Sequence, residues 1–264
     1  MLSLIKKFHA NRNLLKNLIV RDLKHRYVGS IGGFLWSVIH PVVLLISYTF
    51  IFTMLGVKTP GAGTVHFSVF LLCGLLPWML FSDTVVRNCS AISDNAPLIT
   101  KTIIPAEILP ISITISNLIH HLIGLGIVLA VLASLYTVHI SAMWIVLYIT
   151  MLLMFAQGLG WIVAGLHVFV RDTIQALQIA MLLWFYFTPI LFPMETMNRA
   201  PKSIRFLAGL NPMAVIVTGY RNSLLDLGQP KLTGIAAALI ISIVVFVLGA
   251  FLFRQAKPAF ADVL

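Results

Sequence analysis

The chain has 264 residues, of which 59% are hydrophobic and 10% are charged, and its mean hydropathy is +1.00. A water-soluble domain of this length needs far more charge to cover its surface, so the composition excludes a soluble protein and indicates a polytopic membrane protein. The net charge of +10 would suggest nucleic-acid binding in a soluble chain. In a membrane protein it is explained by cytoplasmic loops, which are rich in Lys and Arg.

Residues 1–30 predict an amphipathic helix on the cytoplasmic side, lying in the headgroup region. From Leu14 to Leu23, apolar residues fall on one helical face and basic and amide residues on the other. The basic residues Arg21, Lys24 and Arg26 stand directly before the first apolar run, and such a cluster marks the cytoplasmic end of a span.

Six apolar stretches predict six membrane spans with both termini in the cytoplasm, in one all-α transmembrane domain covering residues 1–264. No Lys, Arg, Asp or Glu occurs between residues 108 and 170, so this part should form a hairpin of two helices. The predicted spans are residues 34–55, 67–86, 110–135, 142–170, 174–192 and 234–253.

Two connecting segments carry structure of their own. The segment after the second span is too polar to cross the membrane, and its prolines at 97, 105 and 110 predict a short cytoplasmic helix between two of them. The stretch from Met194 to Lys231 is broken by prolines and contains several basic residues, among them Arg221. We expect it outside, as one or two re-entrant or interfacial half-helices before the last span.

Nothing in the sequence indicates catalysis, a metal site or a cofactor. It contains no Walker A motif, no paired-cysteine metal spacing and no Gly-x-Ser-x-Gly. His120 and His121 are neighbours within an apolar span, so they point about 100° apart and cannot chelate one metal. We expect them to hydrogen-bond a neighbouring helix, and we expect transport to be powered by a partner.

Motifs spread over nearly the whole chain resemble the permease subunits of type-2 ABC exporters. Within that superfamily, the resemblance is to the branch that exports O-antigen, capsular polysaccharide and teichoic acid. The residues that carry it are Arg21-Asp22-x-Lys24-x-Arg26-Tyr27-x-Gly29-Ser30, Gly33, Trp36 and Pro41, Gly74-Leu75-Leu76-Pro77-Trp78, Asn95, Leu98-Ile99-x-Lys101, Pro105, Ile108-Leu109-Pro110, Arg171-Asp172, Thr188-Pro189-Ile190, Pro193, Asn211-Pro212 and Tyr220-Arg221.

The resemblance implies a homodimer that works with two copies of a separate cytoplasmic ATPase, and the ATPase would bind ATP and Mg²⁺. It also implies a continuous channel for a lipid-linked glycan, a gate at the interfacial helix and cytoplasmic coupling segments that dock on the ATPase. The gate residues would be Arg21, Lys24, Arg26, Tyr27 and Gly29. The coupling residues would be Asp94, Asn95, Leu98, Ile99, Lys101, Arg171 and Asp172.

Two helical stripes are predicted to line the pathway. A sliding sugar polymer needs many weak contacts, from polar groups to its hydroxyls and from aromatic rings to its C–H faces. Unpaired glutamines are costly against lipid, so a stripe that holds them should face protein or water. The stripes are Ser37, His40, Tyr48 and Phe52 in the first span, and Gln175, Gln178 and Tyr186 in the fifth. The aromatic residues could instead form an interfacial belt or helix packing.

Two other functions fit the composition. A drug or small-lipid exporter of the same superfamily usually has a large external domain or a fused ATPase, and neither is seen in this sequence. An intramembrane transferase acting on a polyprenyl-phosphate lipid needs carboxylates or histidines that converge at one membrane face. The acidic residues of this chain are scattered singly over both predicted faces, which counts against such an enzyme.

Overall fold

The computed structural model describes residues 11–27, 35–54, 56, 67–101, 105–135, 140–194 and 209–263, and in these ranges the regular structure is entirely helical. Short 3₁₀ turns occur at Ser93–Asn95, Ile140–Met143 and Lys257–Ala259. The α-helices are α1 (Arg12–Tyr27), α2 (Leu35–Met54), α3 (Phe67–Ser90), α4 (Ala96–Lys101), α5 (Ile108–Leu135), α6 (Trp144–Phe169), α7 (Thr173–Phe187), α8 (Pro212–Leu225), α9 (Leu232–Ala256) and α10 (Phe260–Val263).

Four helical stretches in the described ranges are long and apolar enough to cross a membrane: Phe67–Ser90, Ile108–Ala130, Ser141–Phe169 and Leu232–Ala259. They contain α3, most of α5, α6 and α9, and they confirm the prediction of an all-α polytopic membrane protein. The first and fifth predicted spans coincide with α2, which has 20 residues, and α7, which has 15. The count of six spans and the re-entrant character of the 194–231 stretch stay predictions.

Helix α7 is shorter than the fifth predicted span, with which it coincides. Helix α7 ends at Phe187, whereas the apolar stretch continues to residue 192. Thr188 is extended, with φ −99° and ψ 136°, because the ring of Pro189 disfavours helical backbone in the residue before it. Because apolar residues occur both before and after Phe187, hydrophobicity alone does not predict where this helix ends.

Helices α6 and α9 approach each other more closely than side chains would allow. A Cβ atom added to Gly158 on α6 would lie 2.5 Å from the carbonyl oxygen of Val245 and 2.7 Å from the Cα of Phe246, both on α9. A Cβ on Gly249 would in turn collide with the backbone of Gly158. Small residues at such a crossing let two membrane helices pack backbone against backbone.

Two apolar clusters hold the helices together. The larger one lies among α3, α5, α6, α7, α8 and α9, with Tyr148, Leu152 and Tyr220 fully buried in it. The smaller one, called here the α1-end cluster, joins α1 and the segment after α9 to the bundle. It consists of Leu18, Ile92, Ala106, Ile108, Leu109, Trp161, Ala164, Val168, Phe253 and Phe260. The side of the bundle that holds this cluster is called the α1 end, and the side that holds the start of α8 is called the α8 end.

The segment after α3 contains the short helix that its prolines predict. A 3₁₀ turn at Ser93–Asn95 leads directly into α4. Pro97 lies in the first turn of α4, where the amide hydrogen that proline lacks would have no partner within the helix. Leu98 and Ile99 of α4 pack against the α1-end cluster, so the turn and α4 lie at the α1 end.

Candidate functional site

Helix α1, predicted to be interfacial, has a buried apolar face and an exposed basic face, as its sequence predicts. Leu18 is buried in the α1-end cluster, with Leu14 and Leu15 packed beside it. Arg21 and Lys24, two of the predicted gate residues, are exposed. Of the other predicted gate residues, Gly29 lies outside the described residues. The side chains of Arg26 and Tyr27 lie outside them as well.

Two residues that the resemblance assigns to different tasks are joined directly. Nη2 of Arg21, in the gate set, donates a hydrogen bond of 2.7 Å to Oδ1 of Asn95, in the coupling set. Nδ2 of Asn95 donates in turn to the backbone oxygen of Ala91, at 2.9 Å. Beside it, the hydroxyl of Ser90 donates to Asp94 Oδ2 at 2.6 Å. Helix α1 is thereby attached to the turn that precedes α4.

Arg87, near the end of α3, makes a second attachment to α1. Its Nη2 forms a salt bridge with Asp22 Oδ1, and its Nη1 donates to Asn117 Oδ1 on α5 at 2.9 Å. Nδ2 of Asn117 donates to the hydroxyl of Thr84, at 3.1 Å. Arg87 and Asn117 were not among the predicted site residues. The sequence did contain a signal for Asn117, because an amide in the middle of an apolar span needs a hydrogen-bond partner within the protein.

These contacts surround a polar cavity of about 450 Å³. It lies between α1, the end of α3 and the beginning of α5. It has both guanidinium groups and two carboxylates in its wall, so charges of both signs face it. Its lining residues are Leu18, Arg21, Asp22, Arg87, Ser90, Ala91, Asp94, Asn95, Leu109, Ser112 and Ile113.

The predicted coupling residues divide into a covered and an exposed group. Leu98 and Ile99 are half-buried and pack against the α1-end cluster of the same chain. On the same short helix, Pro97 and Thr100 are exposed. Asp94 is exposed as well, as are Arg171 and Asp172 in the turn between α6 and α7, whereas the side chain of Lys101 lies outside the described residues.

The predicted polar stripe on α7 is exposed along its whole length. Gln175, Gln178 and Tyr186 all have exposed side chains, and Leu182 between them is 59% exposed. The opposite face is held in the core by Phe185, whose ring lies edge-on to that of Trp78 on α3, with 5.6 Å between centroids. Helix α7 therefore turns its glutamines away from the bundle of its own chain.

The predicted first-span stripe falls on α2. Ser37, His40, Tyr48 and Phe52 lie on α2, but their side chains lie outside the described residues. They stay predictions.

At the α8 end, a fully buried arginine joins three helices. Arg221 on α8 is 1% exposed. It donates to the backbone oxygens of Phe70 at 3.1 Å, Pro189 at 3.1 Å and Ile190 at 2.6 Å. Its guanidinium carbon also lies 3.7 Å from the centroid of the Phe70 ring. The sequence analysis counted Arg221 among the basic residues of an external stretch with half-helices. The structure shows that its side chain is not exposed, because α8 packs against α3 and α6 and covers it, and the external position stays a prediction.

Polar residues within the spans connect α3, α5 and α6. Thr114 donates to Gln157 Oε1 at 2.6 Å and accepts from Asn88 Nδ2 at 3.2 Å, and the three residues are buried. As expected for the histidine pair, His121 makes a hydrogen bond to a neighbouring helix, with 2.9 Å between its Nε2 and the Tyr220 hydroxyl. In the ranges that the structure describes, no three His, Cys, Asp or Glu side chains come together as metal ligands would.

Comparison with known proteins places this arrangement in a family. The family model of the ABC-2 type transporter matches residues 13–225. The chain is 32% identical to the O-antigen export system permease protein RfbA of Myxococcus xanthus over 99% of both chains. It is 27% identical to RfbA of Klebsiella pneumoniae over 98% of this chain and 99% of that one. The polysialic acid transport protein KpsM of Escherichia coli is 23% identical over 83% of both. The chain therefore belongs to the ABC-2 type transporter family.

Proposed function

We propose that this chain is the channel-forming transmembrane subunit of an ATP-driven exporter of lipid-linked polysaccharide. The cargo is of the O-antigen, capsule or teichoic acid type, and it moves from the cytoplasmic to the outer face of the inner membrane. Family membership supports the transporter class. The cargo class is supported by relatives that match over most or all of their length and are named for O-antigen export and polysialic acid transport.

The observation that carries the proposal is the polar face of α7. Gln175 and Gln178 are exposed at one end of this apolar helix and Tyr186 at the other. Lipid is a poor neighbour for unpaired amides, so water, substrate or another protein surface must lie against this face. Amides that bond sugar hydroxyls and a ring that stacks on sugar C–H faces suit a polymer that must slide without binding tightly.

A second copy of the chain completes the pathway. Apolar side chains flank the α7 stripe, and α2 presents others, such as Ile46 and Phe50, each 62% exposed. A partner subunit that covers these surfaces encloses the glutamines in a channel, with the apolar residues forming the contact around it. In this arrangement α2 and α7 are the first and fifth of six spans, and α8 is an external re-entrant half-helix.

Energy enters at the α1 end, which faces the cytoplasm together with both termini. Two copies of a separate ATPase subunit bind ATP and Mg²⁺, and this chain binds no cofactor of its own. The exposed residues Asp94, Pro97 and Thr100, together with the turn at Arg171 and Asp172, form the docking surface. Leu98 and Ile99 stabilise that surface from within, since they pack on the α1-end cluster.

A matched pair of variants tests the pathway. Tyr186 on α7 is 58% exposed and Ile240 on α9 is 61% exposed, but only Tyr186 belongs to the polar stripe. In cells that depend on this exporter, Tyr186→Ala should lower surface glycan several-fold, while Ile240→Ala should leave it normal at equal membrane levels of protein. Equal glycan in the two variants would remove α7 as the lining element. Normal glycan after deletion of the chain, with new sensitivity to small amphiphiles, would favour a drug or small-lipid exporter.

A further inference from the structure

Asp22 and Arg21, adjacent on α1, reach two different parts of the bundle. Consecutive helical residues point about 100° apart, and the two side chains take separate partners accordingly. Asp22 accepts from Arg87 on α3, and Arg21 donates to Asn95 ahead of α4. One turn of the interfacial helix is thus fixed to a membrane span on one side and to the coupling segment on the other.

Arg87 forks between two helices. Its Nη2 donates to Asp22 on α1, and its Nη1 donates to Asn117 on α5 at 2.9 Å. The planar guanidinium holds its donors at fixed angles, so the position of α1 is set relative to both spans at once. Asn117 is itself fixed by its bond to Thr84, and both residues are buried, at 3% and 0% exposure.

Apolar packing alone does not fix α1 at this point. The cavity of about 450 Å³ lies between the turn with Arg21 and Asp22 and the ends of α3 and α5, while Leu18 makes the apolar contact one turn earlier. On the cavity rim, the polar bonds of Arg21 and Asp22 set the distance between α1 and the bundle. The turn that carries Arg21 and Asp22 can shift when those bonds rearrange, while Leu18 stays packed in the α1-end cluster.

We propose that Arg87 is a positioning residue for transport, which holds the interfacial helix so that it moves with the coupling segment. When the ATPase displaces residues 93–101, the Arg21–Asn95 bond draws α1 along, and the Arg87 fork sets how far the helix travels against α3 and α5. This inference rests on the proposed function. It adds the connection by which work done at the docking surface reaches the helix that precedes the first span.

The chain provides a matched control at the same end of the bundle. Lys257 donates to Glu107 Oε2 at 2.7 Å, and the two side chains are 32% and 5% exposed, against 34% and 17% for Arg87 and Asp22. The control pair joins the segment after α9 to the start of α5 and does not involve α1. Loss of either pair removes a half-buried ion pair, but loss of the Arg87–Asp22 pair also releases the interfacial helix.

The test uses the complete complex of this chain with its ATPase in membranes, and it measures ATP hydrolysed per glycan exported. Asp22→Asn and Arg87→Gln should each lower export about tenfold while ATP hydrolysis continues. This magnitude lies between the effect of losing an exposed ion pair and that of breaking a fully buried one. Glu107→Gln should leave the ratio unchanged. The exchange of charges in Asp22→Arg with Arg87→Asp should restore part of the coupling, because the α1–α3 bond can form again.

Several outcomes would overturn the inference. These are normal coupling in Asp22→Asn, an equal loss of hydrolysis and export, or the same uncoupling in Glu107→Gln. If Arg87→Gln does not assemble, Arg87→Lys replaces it. A lysine keeps the charge opposite Asp22 but cannot fork to Asn117, so it should uncouple to an intermediate degree, and wild-type coupling there would refute the fork. Absence of glycan export by the wild-type complex would instead refute the proposed function.

Discussion

The crossing of α6 and α9 gives the sharpest prediction about stability. Replacing Gly158 with Ala adds a methyl group where backbone atoms of Val245 and Phe246 lie 2.5–2.7 Å away, although real Cβ atoms essentially never approach another atom within 3.0 Å. Backbone atoms cannot rotate aside as a side chain can. The two helices must therefore separate along their contact, which includes the ring pair of Trp161 and Phe246 with centroids 5.1 Å apart.

The expected cost follows from two opposing effects. Forcing a methyl group into a packed interface costs about 1–3 kcal/mol, and backbone neighbours favour the upper half of that range. Alanine in place of glycine within a helix recovers up to about 1 kcal/mol. Gly158→Ala should thus destabilise the fold by about 1–2 kcal/mol. Gly126 on α5 is the control, since no atom lies within 4 Å of its added Cβ.

The measurement is the thermal unfolding of the purified chain in detergent, followed by tryptophan fluorescence. Gly126→Ala should melt at or slightly above the wild-type temperature, and Gly158→Ala clearly below it. The difference between the two variants should correspond to about 2–3 kcal/mol, because the helix-propensity effect is common to both. A Gly158→Ala protein that melts with the Gly126→Ala protein would show that α6 and α9 are not in backbone contact.

Three further predictions address the ends of the bundle. Arg221→Met should lower stability by about 3–5 kcal/mol, since three backbone carbonyls lose a buried charged donor, and melting at the wild-type temperature would contradict this. Lys231→Cys should react with an impermeant maleimide in spheroplasts, and Arg254→Cys, at the other end of α9, only after permeabilisation. The reverse pattern would invert the proposed orientation. Thr100→Arg, on the exposed face of α4, should abolish co-purification of the ATPase without loss of the chain from the membrane, and full retention of the ATPase would remove this surface from the docking site.

The membrane helices were predictable because their signals are local. Apolar length alone locates α3, α5, α6 and α9 to within about four residues at each end. The polar break at residues 136–141 of the sequence separates α5 from α6. The short helix α4 follows from the spacing of Pro97 and Pro105. The polar stripe on α7 follows from helical period, because exposure on one helix depends on which residues repeat along it.

The contacts that join the helices were not predictable, because their partners are far apart in the sequence. Asp22 and Arg87 are 65 residues apart, and nothing local to either residue selects the other. Leu98 and Ile99 show a related limit. Sequence shows that the segment has apolar side chains to bury, but it does not say whether the ATPase or the α1-end cluster of the same chain covers them, and the structure gives the second answer.

In the proposed arrangement of spans, Arg221 explains how α7 can end within the depth of the membrane. Fifteen residues span about 22 Å, short of the roughly 30 Å of hydrocarbon. Backbone that leaves a helix at that depth must find its hydrogen bonds within the protein. Arg221 supplies donors to Pro189 and Ile190, and Asn211, which caps α8, donates to the hydroxyl of Thr188 at 3.0 Å. Since α8 completes the hydrogen bonding at the end of α7, the stretch before the last span belongs to the frame of the proposed pathway.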